Sequence, residues 1–425
     1  RESWLAAHQA GRAGHVPAPR HRLDLSEYFL NKRSYYWPLL LLLAACNSSE
    51  PAPSEPVPSK SGTVVEGWPR ATPEIETQVE ILTSGEVIAR GKQYVNSRDA
   101  RAAAYIRKYD ALGAELKLPT VGDQLYACGF MSVDAQQRLL TVFTAFDKST
   151  YMTVCRHLTS DGSDDASFGD SGCRKFTGLP LDHAVGVRSL ASGAVLAATS
   201  SVLLQATPSG ELDLNFGVQG IYLVEPSFGL SSFAAQSDGR ILVALSKNTA
   251  QGTPRKLIRL TSSGVLDPSF ASAGTLLDVG GTIYMSADNA FFVLDSDKRS
   301  LSRYLAQGTP DVSFGTNGKV DLAATAQTDV SELQSTAIAV DAEGRVYFAV
   351  NTNPGTADST SYRALIARLR TDGTLDTDFG IHTEIEHHFL TLDAISIGAD
   401  GKILISGIWT DENRHVNWGL ALLWP

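Results

Sequence analysis

Four side chains late in the chain alternate with the period of a strand: His382, Glu384, Glu386 and His388. Strand alternation puts all four on one face. Two imidazoles and two carboxylates are a donor set for a divalent metal. The segment also falls on the outermost strand of its repeat, where charge protects an open edge, and that reading is preferred. Asp161, Asp164, Asp165 and Asp170 crowd one turn and could attract calcium. Their spacing is not Asp-x-Asp-x-Asp-Gly, so they read as solvated turn carboxylates. Asp123, His183 and Asp393 could face a central channel, but they are scattered. No Gly-x-Ser-x-Gly, P-loop or His-Glu-x-x-His occurs. No catalytic residue, no metal site and no cofactor is therefore assigned.

Cysteine offers cross-linking rather than catalysis. Of the 4 cysteines, Cys155 and Cys173 fall on the third and fourth strands of one repeat. Those strands are neighbours, so a disulfide between them is expected in an oxidising compartment. Cys128, on the first strand, reads as a buried free thiol. The fourth, Cys46, belongs to the amino-terminal region and is treated below.

The elements that position these residues come from two recurring phrases. One reads Asp-Gly-x-x-Asp-x-x-Phe-Gly, at 161–169, 209–217, 263–271, 307–315 and 372–380. The other is a pair of short β-branched runs around a Gly or Asn, clearest at 394–407, with seven copies beginning at Val79. The Gly or Asn supplies the positive φ of a tight hairpin. Spacing centres on about 50 residues, the range of a four-stranded propeller blade. No sustained helical stripe follows residue 70, and 97–109 sides with the strand pattern. The fold class is thus all-β. Unit seven stops at its third strand, 419–424, while 62–68 is an unpaired strand at the start. A seven-bladed ring closed by that amino-terminal strand uses both and removes an exposed edge.

Within the phrases, Asp213, Asp267, Asp311 and Asp376 are expected to cap turn amides. Phe168, Phe216, Phe270, Phe314 and Phe379 are expected to wedge between neighbouring blades. The two phrases together resemble the delta-60 repeat family, with 400–405 and 372–380 as the best matches. That resemblance implies a β-propeller over residues 62–425 and brings no assigned activity. Unit one departs from it, lacking the Phe-Gly after 111–116, and unit two lacks the first-turn Gly.

Asn31-Lys32-Arg33 precedes the short apolar run 34–45 and Cys46. A basic pair, a short apolar core and small residues read as a secretory signal, too short to span a bilayer. Leu43-Ala44-Ala45-Cys46 resembles the bacterial lipobox, which implies lipidation of Cys46. The Pro/Ser/Glu stretch that follows, to residue 61, suits a disordered tether. Asn47 after the cysteine leans the resemblance toward the outer membrane. Residues 1–30, rich in Arg and His, are expected to be a non-native leader, with translation starting at Leu30.

The balance of 36 Lys+Arg against 46 Asp+Glu gives no attraction for nucleic acid. The expected product is a lipid-anchored envelope propeller that binds or scaffolds an envelope protein or glycan. The alternatives are a hydrolase- or dehydrogenase-type propeller enzyme with a central-channel site, and a purely structural surface protein.

Overall fold

Each repeat folds around two apolar runs that are buried on both sides. In the third repeat, Val195–Thr199 and Val202–Ala206 are buried at every position. Such runs must lie in the middle of a sheet that is covered on both faces. Turn residues with positive φ, among them Gly193 and Gly210, separate them from their neighbours. The computed structural model describes residues 63–425 apart from 66–67, 69, 73–74, 97–98, 117–128, 147–149, 181, 248–253, 296–298, 328–332, 353–362, 383–388 and 411–415.

Seven four-stranded antiparallel sheets result. They are the blades of a β-propeller: residues 75–116, 129–177, 184–223, 229–277, 281–321, 333–382 and 389–423. The first strand of each blade touches the first strands of both neighbours, closing an inner circle. Apolar clusters fill the spaces between blades. The only helix among the described residues is Leu322–Thr325, capped by the Asp321 side chain. Residues 99–109 form a strand, as the repeat pattern requires. No helix among the described residues is long and apolar enough to cross a membrane.

Blade 7 takes its fourth strand from the start of the chain. Val64 bridges Leu423, Val65 N–H donates to Leu422 O at 2.8 Å, and Trp424 N–H donates to Thr63 O at 2.9 Å. The regular ladder lies slightly later than the sequence suggests: Arg70–Thr72 pairs with Leu420, Gly419 and Trp418. Between the two, Trp68 N–H turns back onto Val65 O.

Antiparallel order gives the ring two different ends. The turns between strands 1 and 2, and those between strands 3 and 4, share one end, called here the repeat-turn end. Connections between strands 2 and 3, and from strand 4 to the next blade, share the other. The 1–2 turns are nearly uniform in length, whereas the 2–3 connection runs from two residues (200–201) in blade 3 to ten (353–362) in blade 6. The closing strand enters the ring at the repeat-turn end.

Cys155 and Cys173 form a disulfide across strands 3 and 4 of blade 2, directly opposite each other. Their sequence separation is 18. Reduction is expected to lower stability by about 3 kcal/mol, the loop-closure entropy for a separation of this size. Urea midpoints with and without dithiothreitol test this; an unchanged midpoint would show that the sheet alone fixes the pair.

Candidate functional site

Each recurring aspartate accepts from its own turn and from a third-strand residue, and Asp165, Asp267 and Asp376 also pair with Arg138, Arg240 and Arg370. Asp267 Oδ1 accepts from the Ser269 amide at 3.0 Å and its hydroxyl at 2.6 Å, closing the turn. Asp267 Oδ2 accepts from Arg259 Nε at 2.9 Å. The same arrangement joins Asp165 to Arg156, Asp311 to Arg303 and Asp376 to Arg368, with Gln205 replacing arginine opposite Asp213. Burial by itself would raise the Asp267 carboxyl; Ser269 and Arg259 overcome it and hold the group below the ordinary carboxylate range. Asp165 and Asp376 are lowered by the same contest.

These arginines also reach across to the next blade. Arg156 donates to Pro208 O at 2.8 Å, Arg259 to Ala306 O at 2.7 Å and Arg303 to Thr371 O at 3.3 Å. The three carbonyls occupy one position in the 3–4 turns of blades 3, 5 and 6. One residue further on, the carbonyls of Ser209, Ser263, Gln307 and Asp372 accept from the amides of Gly169, Gly217, Ala271 and Gly315 at 2.7–2.9 Å. The phenylalanines complete the staple. Phe168, Phe216, Phe270 and Phe314 are fully buried and Phe379 nearly so. The guanidinium groups of Arg156, Arg259 and Arg368 lie 4.8–4.9 Å from the centroids of Phe168, Phe270 and Phe379. Gly264 shows why the turn needs glycine: its φ is +75°, and a Cβ would meet Gly217 N at 2.7 Å.

Of the four strand candidates for a metal, only His382 lies among the described residues. Among the described residues, no group of three or more His, Cys, Asp or Glu could hold a metal ion. His382 Nε2–H donates to Phe379 O at 2.7 Å, and its ring packs T-shaped on Phe379. Glu384, Glu386 and His388 lie outside the described residues, as do Asp123, Cys128 and Cys46. In the blade 2 turn, Asp161, Asp164 and Asp170 are exposed and bond to Ser163, His157 and Arg174 respectively. Asp165 corrects the reading of that turn as wholly solvated. It is buried because it is the blade 2 member of the Arg–Asp series. His183 and Asp393 are exposed and on different blades.

One array has the form of a nucleophile, base and orienting acid. Thr141 Oγ1 is 3.3 Å from His157 Nε2, and His157 Nδ1 is 2.8 Å from Asp164 Oδ1. Burial pushes the His157 imidazole down, against the pull of Asp164. Thr141 is only 3% exposed, however. A hydroxyl shut between two sheets cannot meet an acyl group, so the array ties strand 2 to the 3–4 turn rather than doing chemistry.

The channel holds a different set. One position recurs in the inner strand of every blade, one residue before the last ladder pair. It is occupied in blade order by Glu80, Ser132, Arg188, Ala234, Tyr284, Ala339 and Ser396. The seven form one layer near the repeat-turn end. Desolvation raises the Glu80 carboxyl above its ordinary range, opposed by the Arg188 charge and by a hydrogen bond from Ser396. Desolvation likewise pushes the Tyr284 phenol up to about 12, with Arg188 again opposing. Glu80 keeps some solvent contact along the channel, and Arg188 is exposed. Separately, a cleft of about 230 Å³ between blades 4 and 5 is lined by Asp278, Asp295, Tyr304 and Lys319 among others.

Two stretches match a β-propeller family. The family is described as a domain of unknown function (DUF5122) beta-propeller, and its model covers residues 236–270 and 344–379. Each stretch runs from the first turn of a blade to its Phe in the second phrase, in blades 4 and 6. No curated protein matches the chain. Among solved structures, the chain is similar to a protein of unknown function from Bacteroides caccae, at 10% identity over 69% of this chain and 94% of that one, TM-score 0.39. It is also similar to regucalcin, a calcium-binding protein of Agrobacterium tumefaciens strain C58, at 13% identity over 67% and 90%, TM-score 0.35. A quinonprotein alcohol dehydrogenase-like protein from Bacteroides thetaiotaomicron shares 11% identity over 72% and 68%, TM-score 0.38.

The DUF5122-like stretches contain Asp267, Phe270, Asp376 and Phe379 of the residues legible in sequence. They also contain Arg259 and Arg368, whose role was not read. The available signal was a polar residue eight positions before each repeat Asp: Gln205, Arg259, Arg303 and Arg368, with Arg156 nine before Asp165.

Proposed function

We propose that this chain is a binding module of the bacterial cell envelope, tethered by a lipid on Cys46. The ring end with variable connections holds an envelope protein or glycan, and the outer membrane is the favoured site. One observation carries the reading. The closing strand enters at the repeat-turn end, so a tether running from Cys46 occupies that end and leaves the variable end pointing away from the lipid. The polar groups of the repeat-turn end are also largely engaged in joining blade to blade, whereas connection length varies at the opposite end, where binding loops concentrate on rigid scaffolds.

The test places a photo-cross-linking residue at Ser227, on the exposed connection from blade 3 to blade 4, and at Ser262, on an exposed 3–4 turn. Capture of one reproducible envelope component from Ser227 but not Ser262 is expected. In parallel, Cys46→Ser should move the protein from the membrane to the soluble fraction. Equal labelling at both positions, or membrane retention of the Ser variant, would overturn the respective half of the reading. A hydrolase or dehydrogenase working in the channel is the second reading, and what favours it is the Glu80 and Tyr284 pair, both perturbed by desolvation in one layer.

A further inference from the structure

We propose that Glu80, Ser132 and Arg188 form a channel site for the carboxylate of a small organic acid. The three sit on consecutive blades at one register of the inner circle, with Ser132 between the two charged groups. The site is independent of the anchor and of any envelope partner.

Three observations on the geometry point to a ligand site here. Ser132 is 5% exposed, and its Oγ is buried without a hydrogen-bond partner. A buried polar atom left unpaired is unfavourable unless something else satisfies it. Arg188 makes one hydrogen bond, from Nη1 to its own neighbour Val187 O at 2.9 Å, and no ion pair among the described residues. Its guanidinium fork is therefore largely uncommitted while exposed to the channel. Glu80 and Arg188 lie in one layer yet do not meet in a contact ion pair, because blade 2 intervenes.

The chemistry of these donors selects the ligand. A guanidinium matches the two oxygens of a carboxylate in a bidentate fork. Ser132 Oγ–H can donate to the same group. Desolvation shifts Glu80 toward its neutral form, and a carboxyl in that form can donate to the anion. One guanidinium beside a carboxyl suits a monoanion; a phosphate dianion would meet a second negative charge whenever Glu80 ionises. Tyr284, across the layer, stays a neutral phenol.

The experiment is calorimetric titration of the full chain with sodium acetate, using sodium chloride at equal ionic strength as reference and inorganic phosphate as comparison. Saturable acetate binding is expected, weakened about tenfold or more by Arg188→Gln, as loss of a charge-assisted bidentate contact implies. Ser132→Ala should weaken it several-fold, and Arg188→Lys should fall between wild type and Arg188→Gln. Melting curves without acetate identify any variant that does not fold; Ser132→Ala and Arg188→Lys then carry the comparison. Absence of saturable acetate binding in the wild type overturns the site. So does unchanged affinity in the folded variants, or phosphate binding as tight as acetate.

Discussion

Replacing Arg259 by methionine is expected to destabilise the ring by about 3–5 kcal/mol, the usual consequence of removing one partner of a buried ion pair. Arg259 is fully buried. Besides Asp267, it donates to Ala306 O and Gln307 Oε1 at 2.7 Å and to Ser269 Oγ at 3.1 Å. Methionine can fill part of the volume over Phe270 but donates nothing. Asp267 would keep Ser269 and the partly exposed Arg240, whose Nε lies 3.2 Å from Oδ2, and its carboxyl would rise as the Arg259 charge is lost while burial remains. The natural comparison is blade 1. There Lys108 stands at the arginine register and Leu116 at the aspartate register, as the matching turn bonds of Asp110 and Arg370 show. Lys108, also buried, turns to Glu86 at 2.8 Å instead. A blade can therefore close with leucine at that position. The double variant Arg259→Met/Asp267→Leu should be less destabilised than Arg259→Met alone, since no charge is left stranded. Urea midpoints read both. A single-variant loss under about 1 kcal/mol, the range of an exposed pair, would show that the staple contributes little.

The contrast between Asp267 and Arg259 explains what could be read from the chain. A turn phrase must keep its chemistry in every copy, because φ and close approach at Gly264 or Gly308 admit few residues, so repetition exposes it. Closure was legible for the same reason: unit seven ran out of chain after its third strand while an unpaired strand stood at the start. A third-strand arginine looks like an ordinary surface charge. Its burial depends on an aspartate eight or nine residues later and on a carbonyl in the next blade, and only the packed ring juxtaposes them. The channel layer was hidden by the opposite cause. Glu80, Ser132, Arg188, Tyr284 and Ser396 share a register but no single residue type, so a search for what recurs passes over them. Irregular first turns were also misleading. Gln137 and Asn289 adopt positive φ where other blades use glycine, and each side chain accepts from the preceding blade's turn, at Thr83 N and Ser237 N. The departure from pattern is offset by a new bond between blades.

Those bonds run in one direction, from each blade to the next, and the direction poses a problem at the seam. Blade 7 ends after its third strand and has no Phe-Gly turn with which to grip blade 1. Trp68, on the closing segment, supplies the contact. Its Nε1–H donates to Ala111 O at 3.2 Å. Ala111 occupies the turn position of Pro208, Ala306 and Thr371, the carbonyls that accept from arginine elsewhere. The indole is 6% exposed and packs with Val65, Val79, Val87, Tyr109, Leu404 and Leu420, residues of both blades. One side chain thus combines the apolar wedge of a phenylalanine with the donor of an arginine. Trp68→Ala should destabilise the ring by about 3–5 kcal/mol, whereas Trp68→Phe, which keeps most of the bulk and loses the N–H, should lose about 1 kcal/mol for the hydrogen bond. Truncation through residue 62 should leave the melting curve unchanged. Truncation through residue 72 should remove cooperativity and promote aggregation, because it bares the edge of strand 416–423. If the alanine variant melts like the wild type, the seam is held by the short ladder at 70–72 alone, and the arginine-like role of Trp68 is wrong.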